Sequence, residues 1–157
     1  MLPIDARINN DSPQCRMRGF LDELKLKYSG GIKLLPVRPC FDDDDYAHDL
    51  TLHALREYPS LECIYVASNG QKGVCYAIGE AGLKGRIRVI AHDLTETNRQ
   101  LLRGEDLSFV LDQMAYEQGS RPLQILYDYL RYGILPGDRL LQMDTLIYTK
   151  HNMGNMF

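Results

Sequence analysis

The sequence predicts an α/β protein built on a doubly wound, mostly parallel sheet with helices on both faces. Three observations carry this expectation. Segments with apolar residues at helical spacing alternate along the chain with short apolar runs. Several of those runs, such as Leu61–Ala67 and Leu107–Leu111, are nearly continuous, the pattern of strands covered on both sides. No repeat, low-complexity stretch or Gly/Ser linker divides the chain into separate folding units.

The elements follow in order. Ser12-Pro13 opens a helix with a capping residue and a proline at the first helical position. Met17, Phe20, Leu21 and Leu24 then share one face, and Gly30-Gly31 stops it. Ile32 to Val37 reads as a strand, with Pro36 marking its end or an edge position. Asp42 to Asp45 place carboxylates at the N-terminus of the next helix, in which Ala47, Leu50, Thr51, Ala54, Leu55 and Tyr58 recur until Pro59 ends it. After the Leu61–Ala67 strand, Ser68-Asn69-Gly70 turns the chain into a helix through Val74, Ala77, Ile78 and Ala81, closed by a left-handed cap at Gly82. Ile87–Ala91 is a strand, Thr95 caps a short helix that Gly104 ends, and Leu107–Leu111 is a further strand. A helix from Ala115 to Gly133 contains Pro122, which should kink it or delay its start, and Leu140–Thr149 forms a last strand.

Composition narrows the function classes. The chain has 157 residues, 45% of them hydrophobic and 25% charged, the balance of one globular domain large enough to form a core without disulfides or a structural metal. A net charge of −3 gives no basic footprint for nucleic acid. No run of apolar residues is long enough for a membrane span, and Met1-Leu-Pro-Ile-Asp-Ala-Arg lacks the layout of an export signal, so the expected location is cytoplasmic. The four cysteines, Cys15, Cys40, Cys63 and Cys75, and the dispersed histidines have no metal-ligand spacing and read as reduced, packed residues; no metal or cofactor is implied.

Ligands of doubly wound sheets bind beyond the carboxyl ends of the strands. That rule gathers Phe41 with the aspartate run, Ser68 and Asn69, His92 and Asp93, and Asp112 and Gln113 on one rim. A carboxylate, amides, a hydroxyl and an aromatic ring suit a polyol with an apolar ring face. Each residue taken singly also fits a plain role as turn former or cap, and the aspartate run fits the helix dipole. His92-Asp93 resembles an acid–base pair, but alternation along a strand would point the two to opposite faces. No G-x-S-x-G, G-x-G-x-x-G or P-loop motif is present, so no reaction is indicated.

Four ordered stretches resemble the effector-binding domain of lactose-repressor (LacI/GalR) family transcription regulators, itself similar to sugar-binding periplasmic proteins. They are Arg16-Met-Arg-Gly-Phe20, the strand, turn and helix ending in Glu80-Ala-Gly-Leu83, the strand Ile87-Arg-Val-Ile-Ala-His-Asp93, and Leu111-Asp-Gln-Met-Ala-Tyr-Glu-Gln-Gly119. The resemblance implies the C-terminal subdomain of a type I periplasmic-binding-protein fold. It also implies a ligand site in which Arg16 grips vicinal oxygens, Asp93 accepts from sugar hydroxyls, Phe41 stacks on or lines the ring, Ser68 or Asn69 adds a polar contact and Gln113 reaches in from the crossover. Asn10 and Ser12, on the loop before Arg16, are further candidates. The functional expectation is a non-enzymatic sensor module of a cytoplasmic regulator that contacts DNA only through other parts. The alternatives are a sugar-binding solute receptor and a homodimerising assembly fragment with a vestigial pocket. Residues 1–113 are expected to form the ligand-binding subdomain. The crossover helix and strand within 114–157 would pack on an N-terminal subdomain or on a second copy of the chain, making a homodimer.

Overall fold

A computed structural model describes residues 1–6, 11–28, 30–137 and 140–154, with only the backbone of residues 11 and 12. The elements run β1 (Leu2–Asp5), α1 (Asp11–Tyr28), β2 (Arg38–Pro39), α2 (Asp44–Glu57), β3 (Cys63–Val66), α3 (Gln71–Glu80), β4 (Arg88–His92), α4 (Glu96–Arg103), β5 (Phe109–Asp112), α5 (Ala115–Tyr132) and β6 (Leu146–Tyr148). They build one sheet of order β2-β1-β3-β4-β5-β6, in which β1 to β5 are parallel and β6 is an antiparallel edge. This is the doubly wound arrangement expected, with its switch in strand order between β1 and β3.

The helices divide between the two faces. Under α2, α3 and α4 lies the main core, where Leu2, Ile4, Ile64, Val66, Val89, Val110 and Leu102 are almost wholly enclosed. A smaller cluster on the opposite face joins Met17, Phe20 and Leu21 of α1 to Tyr65, Ala67 and Ile90. The helices α2 and α3 approach closely at Gly73, where a Cβ would collide with the backbone carbonyl of Asp44.

The central strand β1 is absent from the sequence expectation, which read residues 1–7 only for targeting signals. Pro3 disguises it, yet Pro3 is fully buried. Its missing N–H falls on the β2 side, where the same-parity carbonyls of Met1 and Asp5 accept from Leu35 and Cys40, and where paired β2 begins only opposite Ile4. The expected strand at 32–37 is irregular instead. Pairing starts at Arg38, beyond the donor that Pro36 lacks.

Helix ends follow the sequence closely. Asp43 caps α2 by accepting from the Tyr46 amide at 2.8 Å, and Thr95 caps α4 by accepting from the Asn98 amide at 3.2 Å. At the end of α3, Gly82 has φ +67, and the amides of Gly82 and Leu83 return to the carbonyls of Gly79 and Ile78, the double bond of a Schellman cap. α4 ends at Gly104 as expected, with Gly104 as its C-cap in right-handed backbone. The left-handed position falls one residue later, on Glu105 at φ +62, and Asp106 bonds back to Leu101.

Two further points differ from expectation. Pro122 does not delay α5, which starts at Ala115 because its own missing donor is simply one bond of a solvent-facing ladder. Cys40 and Cys75 are buried and Cys63 half-buried, but Cys15 is exposed on α1. Burial next to Asp106 pushes the Cys75 thiol up to about 12, which keeps it protonated. No described helix is long and apolar enough to cross a membrane. Of the segment 114–157, α5 buries none of its 18 residues, whereas β6 joins the sheet through Val110–Tyr148 and Leu111–Ile147 pairs.

Candidate functional site

The carboxyl ends of β3, β4 and β5 converge on Arg16. The first turns of α1 bring this residue over the end of β3, because Met17 beside it is anchored in the small cluster with Tyr65 and Ala67. Arg16 Nη1 donates to the Ala67 carbonyl at 3.1 Å, and Nη2 meets both carboxylate oxygens of Asp93 at 3.2 Å. Gln113 Nε2, just beyond β5, donates to Asp93 Oδ1 at 3.0 Å. Three of the residues singled out in the sequence therefore form one hydrogen-bonded cluster, drawn from segments 77 and 20 residues apart.

Asp93 lies past the end of β4 with φ +64, a left-handed conformation that is uncommon without glycine. Its peptide is fixed on every side. The Asp93 amide donates to Leu111 O at 2.8 Å, and its carbonyl accepts from the Thr95 amide at 2.9 Å and from Asn98 Nδ2 at 2.8 Å. Strand alternation consequently stops one residue before Asp93. His92 and Asp93 both reach groups on the α1 side: His92 Nε2 meets the Tyr65 hydroxyl at 2.8 Å while Asp93 meets Arg16. The Tyr65 ring in turn stacks on Phe20 with centroids 4.0 Å apart. Burial, helped by the Arg16 charge, pushes His92 down to about 4, and burial raises Tyr65 to about 12, so an uncharged imidazole and an uncharged phenol share this hydrogen bond.

The other end of the rim is built by the aspartate run and the turn after β3. Asp42 Oδ1 accepts from the Asn69 amide at 2.9 Å, and Cys40 Sγ donates to the Asn69 carbonyl at 3.2 Å. Gly70 at φ +99 closes this turn where a Cβ would press on Ala47 and Cys40. Asp44 Oδ1 accepts from the Gly73 amide at 3.2 Å. Ser68 stands beside Cys40, its hydroxyl 4.0 Å from the thiol. Phe41, exposed at φ +59, sits at the end of β2, on the far side of β1 from β3, and its ring meets Tyr46 edge-on at 5.3 Å. Phe41, Ser68 and Asn69 thus share the rim with Arg16, Asp93 and Gln113 but make no hydrogen bond with that cluster among the described residues. Asn10 lies outside the described residues, as does the Ser12 side chain; the backbone of Ser12 falls inside α1 rather than on the preceding loop.

Two contributors escaped the sequence reading. Asp5 ends the unrecognised strand β1, and its buried carboxylate accepts from the Ala6 amide at 2.7 Å; burial raises its pKa. Asn98 sits in the first turn of α4 and holds the peptides on either side of the His92–Asp93 junction. The only local cue to Asn98 was its place three residues after the Thr95 cap. Beside Gln113, a cavity of about 700 Å³ opens between α5 and residues 141–145 and is lined by Gln118 and Arg121.

Residues 5–134 match the family model described as a periplasmic binding protein domain. The chain is 24% identical to the D-allose-binding periplasmic protein of Escherichia coli (strain K12) over 152 residues, covering 94% of this chain and 48% of that protein. Its fold superposes on a glucose-galactose binding protein from Geobacillus stearothermophilus with a TM-score of 0.83 at 16% identity, covering 97% of this chain and 53% of the other. It superposes equally, with a TM-score of 0.83 at 18% identity, on an ABC transporter solute binding protein from Agrobacterium vitis bound with alpha-D-tagatopyranose, covering 99% of this chain and 51% of that one. The chain spans about half the length of these relatives. It belongs to the periplasmic binding protein domain family.

Proposed function

We propose that this chain forms one wall of a cleft that binds a sugar or sugar-like small molecule, as in a solute receptor, and that it carries out no covalent chemistry. The observation that supports this reading is the Arg16–Asp93–Gln113 cluster at the carboxyl edge of the sheet. A guanidinium offers parallel donors to vicinal hydroxyl oxygens, and a carboxylate with free lone pairs accepts from two hydroxyls. Asp93 is half-exposed and Arg16 mostly sheltered, so a polyol can reach the carboxylate while the arginine stays fixed by Ala67 O. Phe41, further along the rim, offers an exposed ring to the apolar face of a pyranose, and Ser68 and Asn69 offer adaptable polar contacts. His92, neutral and engaged by Tyr65, completes a rigid floor rather than a proton relay. The relatives' names speak of D-allose, glucose, galactose and tagatose, which makes sugars the first class to test.

Isothermal titration of the full chain against allose, galactose, arabinose, ribose, tagatose and fucose tests the reading. Saturable heat with at least one sugar, weakened about tenfold or more in Arg16→Ala, is the expected result. A well-folded sample silent to all six overturns it.

The order of the four motifs favours a second reading, in which the same lobe is the effector-binding part of a lactose-repressor family regulator, switched by a ligand that binds one hinge state better than another. This reading places the chain in the cytoplasm, whereas a solute receptor works beyond the inner membrane. Cell fractionation with an antibody to the native protein separates the two. In either setting the bare apolar side of α5, with Leu123, Leu126 and Leu130 exposed, is a surface for another lobe or a second copy, and light scattering reads the homodimer directly.

A further inference from the structure

We propose that Asn98 is a positioning residue for sugar binding: it fixes the left-handed backbone that aims Asp93 at Arg16 and at the ligand. The inference rests on the sugar-site reading above. Asn98 is completely buried, yet it is not a packing residue in the ordinary sense. Its Nδ2 spans two successive carbonyls, His92 O at 2.9 Å and Asp93 O at 2.8 Å, so it clamps both sides of the peptide at which β4 ends. Its Oδ1 is buried without a partner among the described residues. A buried amide that leaves half its hydrogen-bonding capacity unmet is unfavourable. An apolar residue would fill the same space without that loss, so the two donated bonds are what the position requires.

The clamp has a defined target. Asp93 has φ +64, where an aspartate is strained relative to the extended conformation that would continue β4. Continuing the strand would carry the Asp93 side chain away from Arg16, breaking the pair held at 3.2 Å and the bond from Gln113 at 3.0 Å. Asn98 is able to hold the turn because its own backbone is locked: its amide donates to the Thr95 hydroxyl at 3.2 Å, and α4 is anchored in the core by Leu101 and Leu102. The cap, the helix and the clamp form one device that ends at the Asp93 carboxylate.

Asn98→Ala and the milder Asn98→Ser, which retains a single donor, are compared with Ile78→Val, which loosens the core under α3 and leaves α4 and both carbonyls untouched. Titration with the tightest-binding sugar of the panel should show affinity about tenfold weaker in Asn98→Ala and affinity near wild type in Ile78→Val at a similar loss of thermal stability. In an Asp93→Ala background, Asn98→Ala should weaken binding no further. In the absence of sugar, the Asp93 HN–Hα coupling and the Arg16 side-chain Nε–Hε resonance should both move in Asn98→Ala and Asn98→Ser. Unchanged affinity with unchanged Asp93 and Arg16 signals overturns the proposal, as does an affinity loss that Ile78→Val reproduces. If the wild-type chain binds no sugar, the function reading fails while the two resonances still decide whether Asn98 sets Asp93.

Discussion

The two faces of the sheet do different work. Beneath α2, α3 and α4 the contact is almost purely apolar and continuous from Leu2 to Val110. Beneath α1 the buried apolar cluster is small, with Met17, Tyr65 and Ala67, and polar links run through it: Arg16 to Ala67 O and Asp93, and Tyr65 to His92. Stability scales with apolar area removed from water, so the first face holds the fold together. Directed, partly desolvated hydrogen bonds give geometry rather than bulk stability, so the second face is where binding groups are arranged.

The strongest way to break this comparison is truncation in each cluster. Ile64→Ala, in the apolar face, should lower unfolding stability by about 2–5 kcal/mol in urea titration, whereas Leu130→Ala in exposed α5 should stay within about 0.5 kcal/mol. Equal losses at the two positions would mean that α5 is covered in solution. Gly73→Ala attacks the apolar face from its helix layer: the α2–α3 approach has no room for a methyl group, and a loss of roughly 1–3 kcal/mol is expected.

The α1 face should instead be sensitive to acid. His92 titrates at about 4 in the fold against 6.5 for an unhindered histidine, so between those values the unfolded chain binds more protons than the folded one. Stability is complete above pH 6.5 and falls as pH drops toward 4, by on the order of 2 kcal/mol. In His92→Phe that slope should vanish, as urea midpoints at pH 4 and pH 7 would show; a persistent slope would assign the acid sensitivity elsewhere. Arg16→Ala sharpens the contrast further. Its effect on stability should be under about 1 kcal/mol because the pair is partly exposed, while sugar affinity should fall roughly tenfold or more through the loss of charged hydrogen bonds.

The smallest expected effect lies on the surface of the apolar side. His48 contacts Asp49 and Glu80, which raise its pKa, so any stabilisation it gives is present at low pH and fades as pH rises through its folded value. His48→Gln should flatten that weak dependence in a thermal scan between pH 6 and pH 8.

Much of this architecture was legible in advance, for local reasons. The carboxylates at the start of α2, the Thr95 cap, the Gly82 Schellman end and the Ala115 start follow from helix-dipole charge, a side-chain oxygen, a missing Cβ and apolar spacing, which act within a few residues. The strand-end rule already set Asp93 and Gln113 on one rim, but Arg16 joined them only through resemblance to a family, since nothing local in the chain ties it to residues so far away. The strand β1 was missed because Pro3 argues against a central strand unless the neighbouring strand begins one residue later, which is a matter of register. Gly104 ends α4 as read, while the left-handed residue after it is Glu105, a backbone choice that side-chain identity does not announce.

Sequence alone determined the helices and the strands β3 to β6, that the central strands are buried on both sides, and that polar residues collect where strands end. Those outcomes depend on short-range sterics and on the spacing of apolar groups. Only the tertiary structure decided that Asp93 turns left-handed under the Asn98 clamp, that β6 closes the sheet edge while α5 stays uncovered, and that Phe41 stands apart from the charged cluster. Each of those depends on which surfaces meet across the sheet, and partners brought together from distant segments leave no periodic mark in the chain.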